Sequence, residues 1–520
     1  MNIKLLFSGL LIAATIGSAT AQDTPDPSVI NKIKDEGLNH SQVMDIAFHL
    51  TDISGPRLAG SPGLRRAQDY AVQTLKSWGM VNAKREVWGK FGKGWEVQRN
   101  YAAITVPYYH AIIAIPKAWT PGTNGLIKGD VVYIKADTTT DLEKYKGKLK
   151  GKVVIFDAAA PAETNFNRPD ASRLTDSALA AMASATPQNG GRRGGFPQRR
   201  RGFGMSPALR AALSQFEVAE GVGLVLSQAR GTDGTVFTTN GASYRDTAKA
   251  VAPELETSAE DYQRILRLTK AGIKVEMEAD IKTEFFDKDL NGYNVVGEIA
   301  GTDPKLKEQV VMLGGHLDSW HGATGGTDNA AGAAVMMEAM RILSKIGFHP
   351  RRTIRIALWS SEEQGEFGSE NYVKNHFGDA TTMELKPDQA KVSAYYNIDN
   401  GTGKVRGVYL QGNAKVGPIF QEWLKPFNDM GATTITIRNT GSTDHVAFDN
   451  IGIPGFQFIQ DNIDYGSRTH HSNQDTYDKI IPADMMQMAT IVASFVYNTA
   501  QRDDMLPRKE LRKPGDPMSR

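Results

Sequence analysis

Cysteine is absent from the chain. Its absence excludes structural disulfides, Cys-ligated zinc and a lipid anchor on an N-terminal cysteine together. Any metal must therefore sit on histidine and carboxylates. Net charge is nearly absent too, formally +2 over 520 residues. No global field points to nucleic acid or to an acidic partner. The apolar run Leu5 to Ile16 falls short of a membrane span, which needs roughly 20 apolar residues.

That run has a different reading. Lys4 supplies a positive start, and Ala19-Thr20-Ala21 is a small-x-small site before Gln22. This is the layout of a signal peptide cleaved after Ala21. The mature protein is expected in the periplasm or outside the cell, with no membrane anchor. The remaining composition, 40% hydrophobic and 23% charged, is that of an ordinary globular protein, and the length predicts more than one domain.

His40 to Asp52 alternates like a short amphipathic helix. Gly55-Pro-Arg-Leu-Ala-Gly-Ser-Pro-Gly63 is turn-rich, and Ser61 before Pro62 predicts an N-cap and first helical position, with Gly79 as the stop. Val87 and Trp88 fall in strand-like sequence, and Tyr101 to Val106 is a second strand candidate. From about Trp119 the texture changes. Val131 to Ile134, Val153 to Phe156 and Gly223 to Leu226 are short β-type runs, Pro207 to Glu220 reads as a helix capped by Ser206 and stopped by Gly221, and Glu254 to Ala271 reads as another helix. The pattern is a small α/β or β-sandwich module inserted into a larger domain. Inside it, Gly190 to Gly204 is an arginine-glycine tract that cannot build a core and reads as a disordered loop.

Sheet sequence returns at Asn294-Val-Val-Gly-Glu-Ile299. Strands at 309–314, 353–359, 392–398 and 454–459 then alternate with helices at 330–346, 366–376, 414–430 and 483–498. This predicts an α/β fold: a mainly parallel sheet with helices on both faces. Residues 501–520 form a charged tail, expected to fray.

In open α/β sheets, ligands bind at the carboxyl ends of strands. His316 and Asp318 follow the first of these strands, Glu362 and Glu363 the second, Asp399 the third and His471 the fourth, with Asp328 on the glycine-rich loop entering the first helix. Singly, each has a plain reading. Asp328 serves as a helix N-cap, Glu362 and Glu363 as a solvated helix start, Asp399 as a turn residue, and His470-His471 as surface. Jointly they supply two histidines and several carboxylates at strand ends, which fits two divalent ions. One ion takes His316 and Asp399, the other Glu363 and His471, and Asp328 bridges them. Three carboxylates leave one positive charge for a hydroxide to neutralise, which draws the pKa of water toward ~7. The donor set favours two zinc ions, with Co or Mn as substitutes. Glu362 is left to move a proton from water to the leaving amine. Asp318 suits an acceptor that fixes the His316 tautomer. His470 and Tyr465 are rival candidates for polarising the oxyanion. Asp444 and His445 either line a substrate pocket or form a buried hydrogen-bonded pair.

These residues resemble the co-catalytic zinc exopeptidases, a family that includes bacterial leucyl aminopeptidases, aminopeptidase Y and glutamate carboxypeptidase II. The likeness is nearest to the carboxypeptidase Q group. It rests on Gly55-Pro-Arg-Leu-Ala-Gly-Ser61, Asn294 to Ile299, Gly315-His-Leu-Asp-Ser319, Gly326-Thr-Asp-Asn-Ala-Ala-Gly332, Ser361-Glu-Glu-Gln-Gly365, Asn397-Ile-Asp399 and His471-Ser-Asn-Gln-Asp-Thr476. The resemblance implies His316, Asp328, Glu363, Asp399 and His471 as ligands, Glu362 as the base, and a cis peptide at Asp328-Asn329. It also implies a protease-associated domain as the insert. The domain reading is then a peptidase domain split over 22–118 and 285–500, with the insert at 119–284. Two features depart from the family pattern. The arginine-glycine tract lies outside it, and His470 stands where many aminopeptidases of the family carry tyrosine.

The expected function is an exported di-zinc exopeptidase, amino- or carboxy-terminal or a dipeptidase, with peptide as partner and a homodimer admissible. The alternatives are a single-zinc glutaminyl cyclase on the same scaffold and a non-catalytic receptor-like relative.

Overall fold

The computed structural model describes residues 23–158, 167, 169–187 and 206–519. The expected signal peptide, residues 1–21, and the Gly190 to Gly204 tract lie outside the described residues. Two eight-stranded sheets organise the rest.

The first sheet runs Val81–Lys90, Asn291–Ile299, Thr353–Trp359, Val310–His316, Val392–Asn397, Gly455–Gln460, Val405–Tyr409, Thr434–Thr436. Its four middle strands are parallel. Every residue of Val310–His316, Val392–Asn397 and Gly455–Gln460 is buried, as expected for parallel strands covered on both faces. One face carries Ala331–Lys345 and Pro482–Gln501, with Pro27–Asn39 against them and Pro62–Ser77 on the strands Val81–Lys90 and Asn291–Ile299. The other carries Phe367–His376 and the short helix His445–Asp449. The antiparallel strands Val81–Lys90 and Asn291–Ile299 close one edge.

The second sheet runs His110–Ala111, Gly94–Val106, Glu276–Phe286, Ile127–Ile134, Val153–Phe156, Leu224–Gln228, Glu254–Thr257, Ala114–Pro116. Helices Pro207–Glu220 and Ala259–Lys270 contribute to two separate cores on it. It takes strands from before residue 119, because Gly94–Val106 pairs along its length with Glu276–Phe286. The chain passes between the sheets at 91–93 and 287–290.

Most elements stand near their expected places, and the caps explain why. Ser61 Oγ accepts from Leu64 N at 3.2 Å, Ser206 Oγ accepts from Leu209 N at 3.1 Å, and Gly221 is left-handed. Four expectations need correction. Residues 254–257 are a strand, not a helix start: they pair in parallel with Leu224–Gln228, and the helix begins after its own cap, Ser258. The expected helix 414–430 is broken into Ala414–Val416, Gly417–Leu424 and Lys425–Met430, with prolines 418 and 426 at the first turns of the later pieces. Strands Val405–Tyr409 and Thr434–Thr436, not expected from the sequence, flank that region and extend the sheet. The tail does not fray: Leu506 is buried, Arg508 donates to Gln389 O at 2.9 Å and Val392 O at 2.6 Å, and Lys509 pairs with Asp449 at 2.6 Å.

Between the sheets, the helix Asp176–Ala183 packs Leu179 and Met182 on Ile459, and Thr436 Oγ1 donates to Met182 O at 2.6 Å. A segment numbered with the second sheet thus covers the far edge of the first. No helix among the described residues is long and apolar enough to cross a membrane.

Candidate metal centre

The centre forms where the parallel strands end. His316 closes the strand Val310–His316 opposite Trp359, and Leu317 N donates to Trp359 O at 2.7 Å. Gly314 has a packing reason: a Cβ there would lie 1.9 Å from Ala357 O. Asp399 follows the neighbouring strand Val392–Asn397. Asp328 lies in the turn Gly326–Ala330, and the peptide Asp328-Asn329 is cis, as the resemblance implies. Asn329 Nδ2 donates to Ile398 O at 2.9 Å and Gly332 N donates to Asn329 Oδ1 at 3.0 Å, which locks this turn onto the next strand end. A Cβ on Gly332 would fall 2.3 Å from Ile398 O.

The five expected ligands meet. His316 Nε2 lies 3.3 Å from Asp328 Oδ1 and 3.3 Å from Asp399 Oδ1. His471 Nε2 lies 3.3 Å from Asp328 Oδ2 and 2.9 Å from Glu363 Oε2. Asp328 therefore points one oxygen at each histidine. Donor atoms of His316, Asp328 and Asp399 all fall within 4.8 Å of one another, as do those of Asp328, His470 and His471. Donors on a tetrahedron with bonds of about 2.0 Å stand about 3.3 Å apart, so three of these separations match a zinc shell. Asp328 Oδ2 and Glu363 Oε1 are buried and accept no hydrogen bond, as atoms reserved for a cation would be. The residues present fit divalent ions.

Charge points the same way. Asp318, Asp328, Glu362, Glu363, Asp399 and Asp475 crowd one region, with Arg57 and the histidines opposing them. Burial, then the Asp399, Asp444 and Glu363 carboxylates, push Glu362 well above the usual carboxylate range. Burial and Asp328 do the same to Glu363. Burial alone would depress His316, but Asp399 and Glu362 outweigh it and hold the imidazole well above its ordinary value. Cations are what such a cluster lacks.

Glu362 Oε2 is 3.8 Å from His316 Nε2, so it stands beside a ligand without joining the close donor contacts. Asp318 acts differently from the sequence expectation. The main-chain oxygen of Asp318, not its carboxylate, takes His316 Nδ1, at 3.0 Å against 3.8 Å. Its carboxylate instead accepts from the amides of Glu362 at 3.3 Å and Glu363 at 3.4 Å. Tyr465 is buried with its ring centred 4.8 Å from that of His470, and His470 Nε2 is 3.9 Å from Asp328 Oδ2. Both rivals for the oxyanion thus border the centre. Asp444 and His445 are both 0% exposed, so they line no open pocket. No hydrogen bond joins the two among the described residues; His445 Nε2 instead faces Thr440 O at 3.2 Å. The reason is packing: Phe448, one turn on, stacks on Tyr395 at 4.2 Å and pulls this helix under the sheet.

Three supports were not read from the sequence as functional. Arg57, fully buried, donates to the carbonyls of Leu317 (2.7 Å), Leu50 (2.8 Å), Thr324 (2.5 Å) and Gly325 (2.9 Å), bracing the loop between His316 and Asp328. Asp475 accepts from Thr327 N at 2.6 Å and Asp328 N at 3.0 Å, and burial first, then Asp328, raises its pKa to about 7. Thr238, from the second sheet's side, donates from N to His471 O at 2.7 Å and from Oγ1 at 3.0 Å. Arg57 and Asp475 stand inside motifs that carried the resemblance, which was the available signal. Thr238 had none.

Residues 294–496 match the family model described as Peptidase family M28. Carboxypeptidase Q of Mus musculus is 24% identical, over 98% of this chain and 99% of that protein. Carboxypeptidase Q of Homo sapiens is 26% identical, over 88% and 85%. Among solved structures, a Peptidase M28 precursor from Shewanella amazonensis superposes with a TM-score of 0.64 at 22% identity, over 93% of this chain and 98% of that one. A zinc aminopeptidase from Bacillus subtilis does so with a TM-score of 0.54 at 17% identity, over 90% and 97%. These superpositions show the shared fold.

Proposed function

We propose that the chain is a co-catalytic zinc exopeptidase, similar over residues 294–496 to Peptidase family M28, and that it is an exported di-zinc exopeptidase, hydrolysing the peptide bond next to a chain end. The observation that carries the reading is Asp328, with one carboxylate oxygen 3.3 Å from His316 and the other 3.3 Å from His471. A single-ion site has no use for a carboxylate so placed. His316 and Asp399 would hold one ion and Glu363 and His471 the other, with Asp328 available to each.

Divalent ions held there would supply Lewis acidity to the scissile carbonyl and to the attacking water. The protein's residues do the rest. Glu362 removes the proton from that water and hands it to the amine that leaves, so it ends each turnover as the carboxylate it began as. Asp318 fixes the Glu362 and Glu363 amides and, through its carbonyl, orients His316 with Nε2 facing the carboxylates. His470 or Tyr465, which border the centre, would serve as the donor to a developing oxyanion. The leader at residues 1–21 supports export, and a peptide is the substrate.

The test is metal analysis of the purified chain beside digestion of peptides with free and blocked ends. Two zinc ions per chain and release of terminal residues are expected. A chelated sample that digests peptides undiminished overturns the proposal.

A further inference from the structure

His471 differs from the other expected ligands in what holds it. His316 and Asp399 end strands of the first sheet, and the turn of Asp328 is pinned by Asn329 and Asp475. His471 lies on a loop far past its strand, with φ +61, a left-handed backbone that side chains with a Cβ seldom adopt. What fixes that backbone comes from the other sheet's unit. Thr238 gives His471 O two hydrogen bonds, at 2.7 and 3.0 Å. Asn473 donates from N to Val236 O at 3.0 Å and from Nδ2 to Gly234 O at 3.0 Å, and its Oδ1 accepts from Val236 N at 2.8 Å. Phe237 and Ser472 form a β-bridge between these pairs. Arg468 adds a bond to Thr235 Oγ1 at 3.3 Å. Thr238 and Ser472 are both 3% exposed, so water does not compete for these bonds.

We propose that the loop 232–239 is a positioning element for one ion of the pair: it holds His471 and thereby sets the affinity of the Glu363/His471 side, leaving the His316/Asp399 side to the first sheet. The inference rests on the two-ion reading above. It makes the second sheet's unit part of the metal site and the two ions unequal in what binds them. Thr238 and Asn473 act through His471 and touch no reacting atom.

Zinc titration of the metal-free chain, read by calorimetry and by competition with a chromophoric chelator, tests this without reference to turnover. Thr238→Val keeps the shape and loses the hydroxyl. It is expected to weaken one of two zinc affinities about fivefold, the worth of one hydrogen bond, and to leave the other in place. Thr238→Ser, which keeps the donor, is expected to bind both ions as the parent does. The double variant T238V/N473A is expected to weaken the same ion by about ten- to a hundredfold. Circular dichroism of each variant checks that the fold is retained. Unchanged affinities in the double variant, or equal weakening of both, overturn the proposal. A parent chain that binds a single ion defeats the two-ion reading instead, so the two failures are told apart.

Discussion

Replacing Glu362 with glutamine separates proton transfer from metal binding, and the geometry sets how cleanly. Glu362 is 3.8 Å from His316 Nε2, whereas the closest contacts among the expected ligands are 2.9 and 3.3 Å. Glutamine keeps the length of the side chain, and the backbone hydrogen bond from residue 362 to Asp318 survives. What goes is the oxygen that takes a proton. A positioned acid or base contributes about 10²–10⁴ in rate, or about 2.7–5.4 kcal/mol of barrier. The variant should therefore lose that much in kcat while KM and zinc content stay near the parent's. Glu363→Gln is the contrast. It weakens a group 2.9 Å from His471, so zinc should be lost along with rate. The assays are peptide hydrolysis by chromatography and metal content by emission spectroscopy. Full activity in Glu362→Gln, or loss of zinc from it comparable to that from Glu363→Gln, would refute the assignment.

Arg57→Lys should destabilise the chain by about 3–5 kcal/mol, because one ammonium cannot reach four carbonyls and leaves the others buried without a donor; urea unfolding measures it, and a change below about 1 kcal/mol would count against the bracing role. Chelation should lower Tm more at pH 8 than at pH 5. In the metal-free chain Glu362 and Glu363 have folded pKa values raised well above 4.5, so their protonated forms support the fold at low pH and that support fades as pH rises. A Tm drop independent of pH would contradict this. Glu217, pushed by burial and then by Glu254 to about 8, gives the same sign away from the centre. Its ionisation should draw stability from the fold between pH 4.5 and 8, at up to about 1.4 kcal/mol per pH unit. Glu217→Gln should flatten the Tm-against-pH curve there, and an unchanged slope would show that Glu217 is not the group responsible.

Much of the first sheet was legible because its strands are short apolar runs bounded by glycine, proline and acidic residues, and because Pro62–Ser77 carries a readable cap in Ser61. The candidate centre was legible for a related reason: strand ends are where parallel sheets present side chains, and the ligand types cluster there. Glu254-Leu-Glu-Thr257 was misread because four residues with alternating acidic positions suit a helix start as well as a strand, and only pairing with Leu224–Gln228 and Ala114–Pro116 decides. Pro27–Asn39 was missed although Asp26 and Pro27 are cap signals. The role of Thr238 was not legible at all, and those of Arg57 and Asp475 were marked only by the motifs they stand in. Each acts through main-chain atoms far along the chain: Arg57 on the carbonyls of 317, 324 and 325, Asp475 on the amides of 327 and 328, and Thr238 on the carbonyl of 471. Backbone partners carry no residue-type signature. Asp444 and His445 show the converse: reactive side chains in a polar loop, yet wholly buried because Phe448 anchors the following turn.

These supports also explain how the fold tolerates so much buried negative charge. Each carboxylate in the centre that faces no ion-binding direction is used by the backbone. Asp318 takes two amides and Asp475 takes two more. Those bonds lower the cost of ionisation while leaving the oxygens that point inward, Asp328 Oδ2 and Glu363 Oε1, without a donor. Arg57 supplies a permanent cation nearby, but spends its donors on carbonyls, so its charge opposes the carboxylates without occupying their lone pairs. The result is an electron-rich cradle in which His316 and His471 face the carboxylates while Asp328 Oδ2 and Glu363 Oε1 accept no hydrogen bond. Introducing a competing donor inside it, as in Tyr465→Lys, should therefore do what chelation does. The ammonium would pair with Asp328, zinc affinity would fall, and the metal-free chain would become more stable than the parent's. A Tyr465→Lys chain that binds zinc as tightly as the parent would mean the inward oxygens are not poised as described.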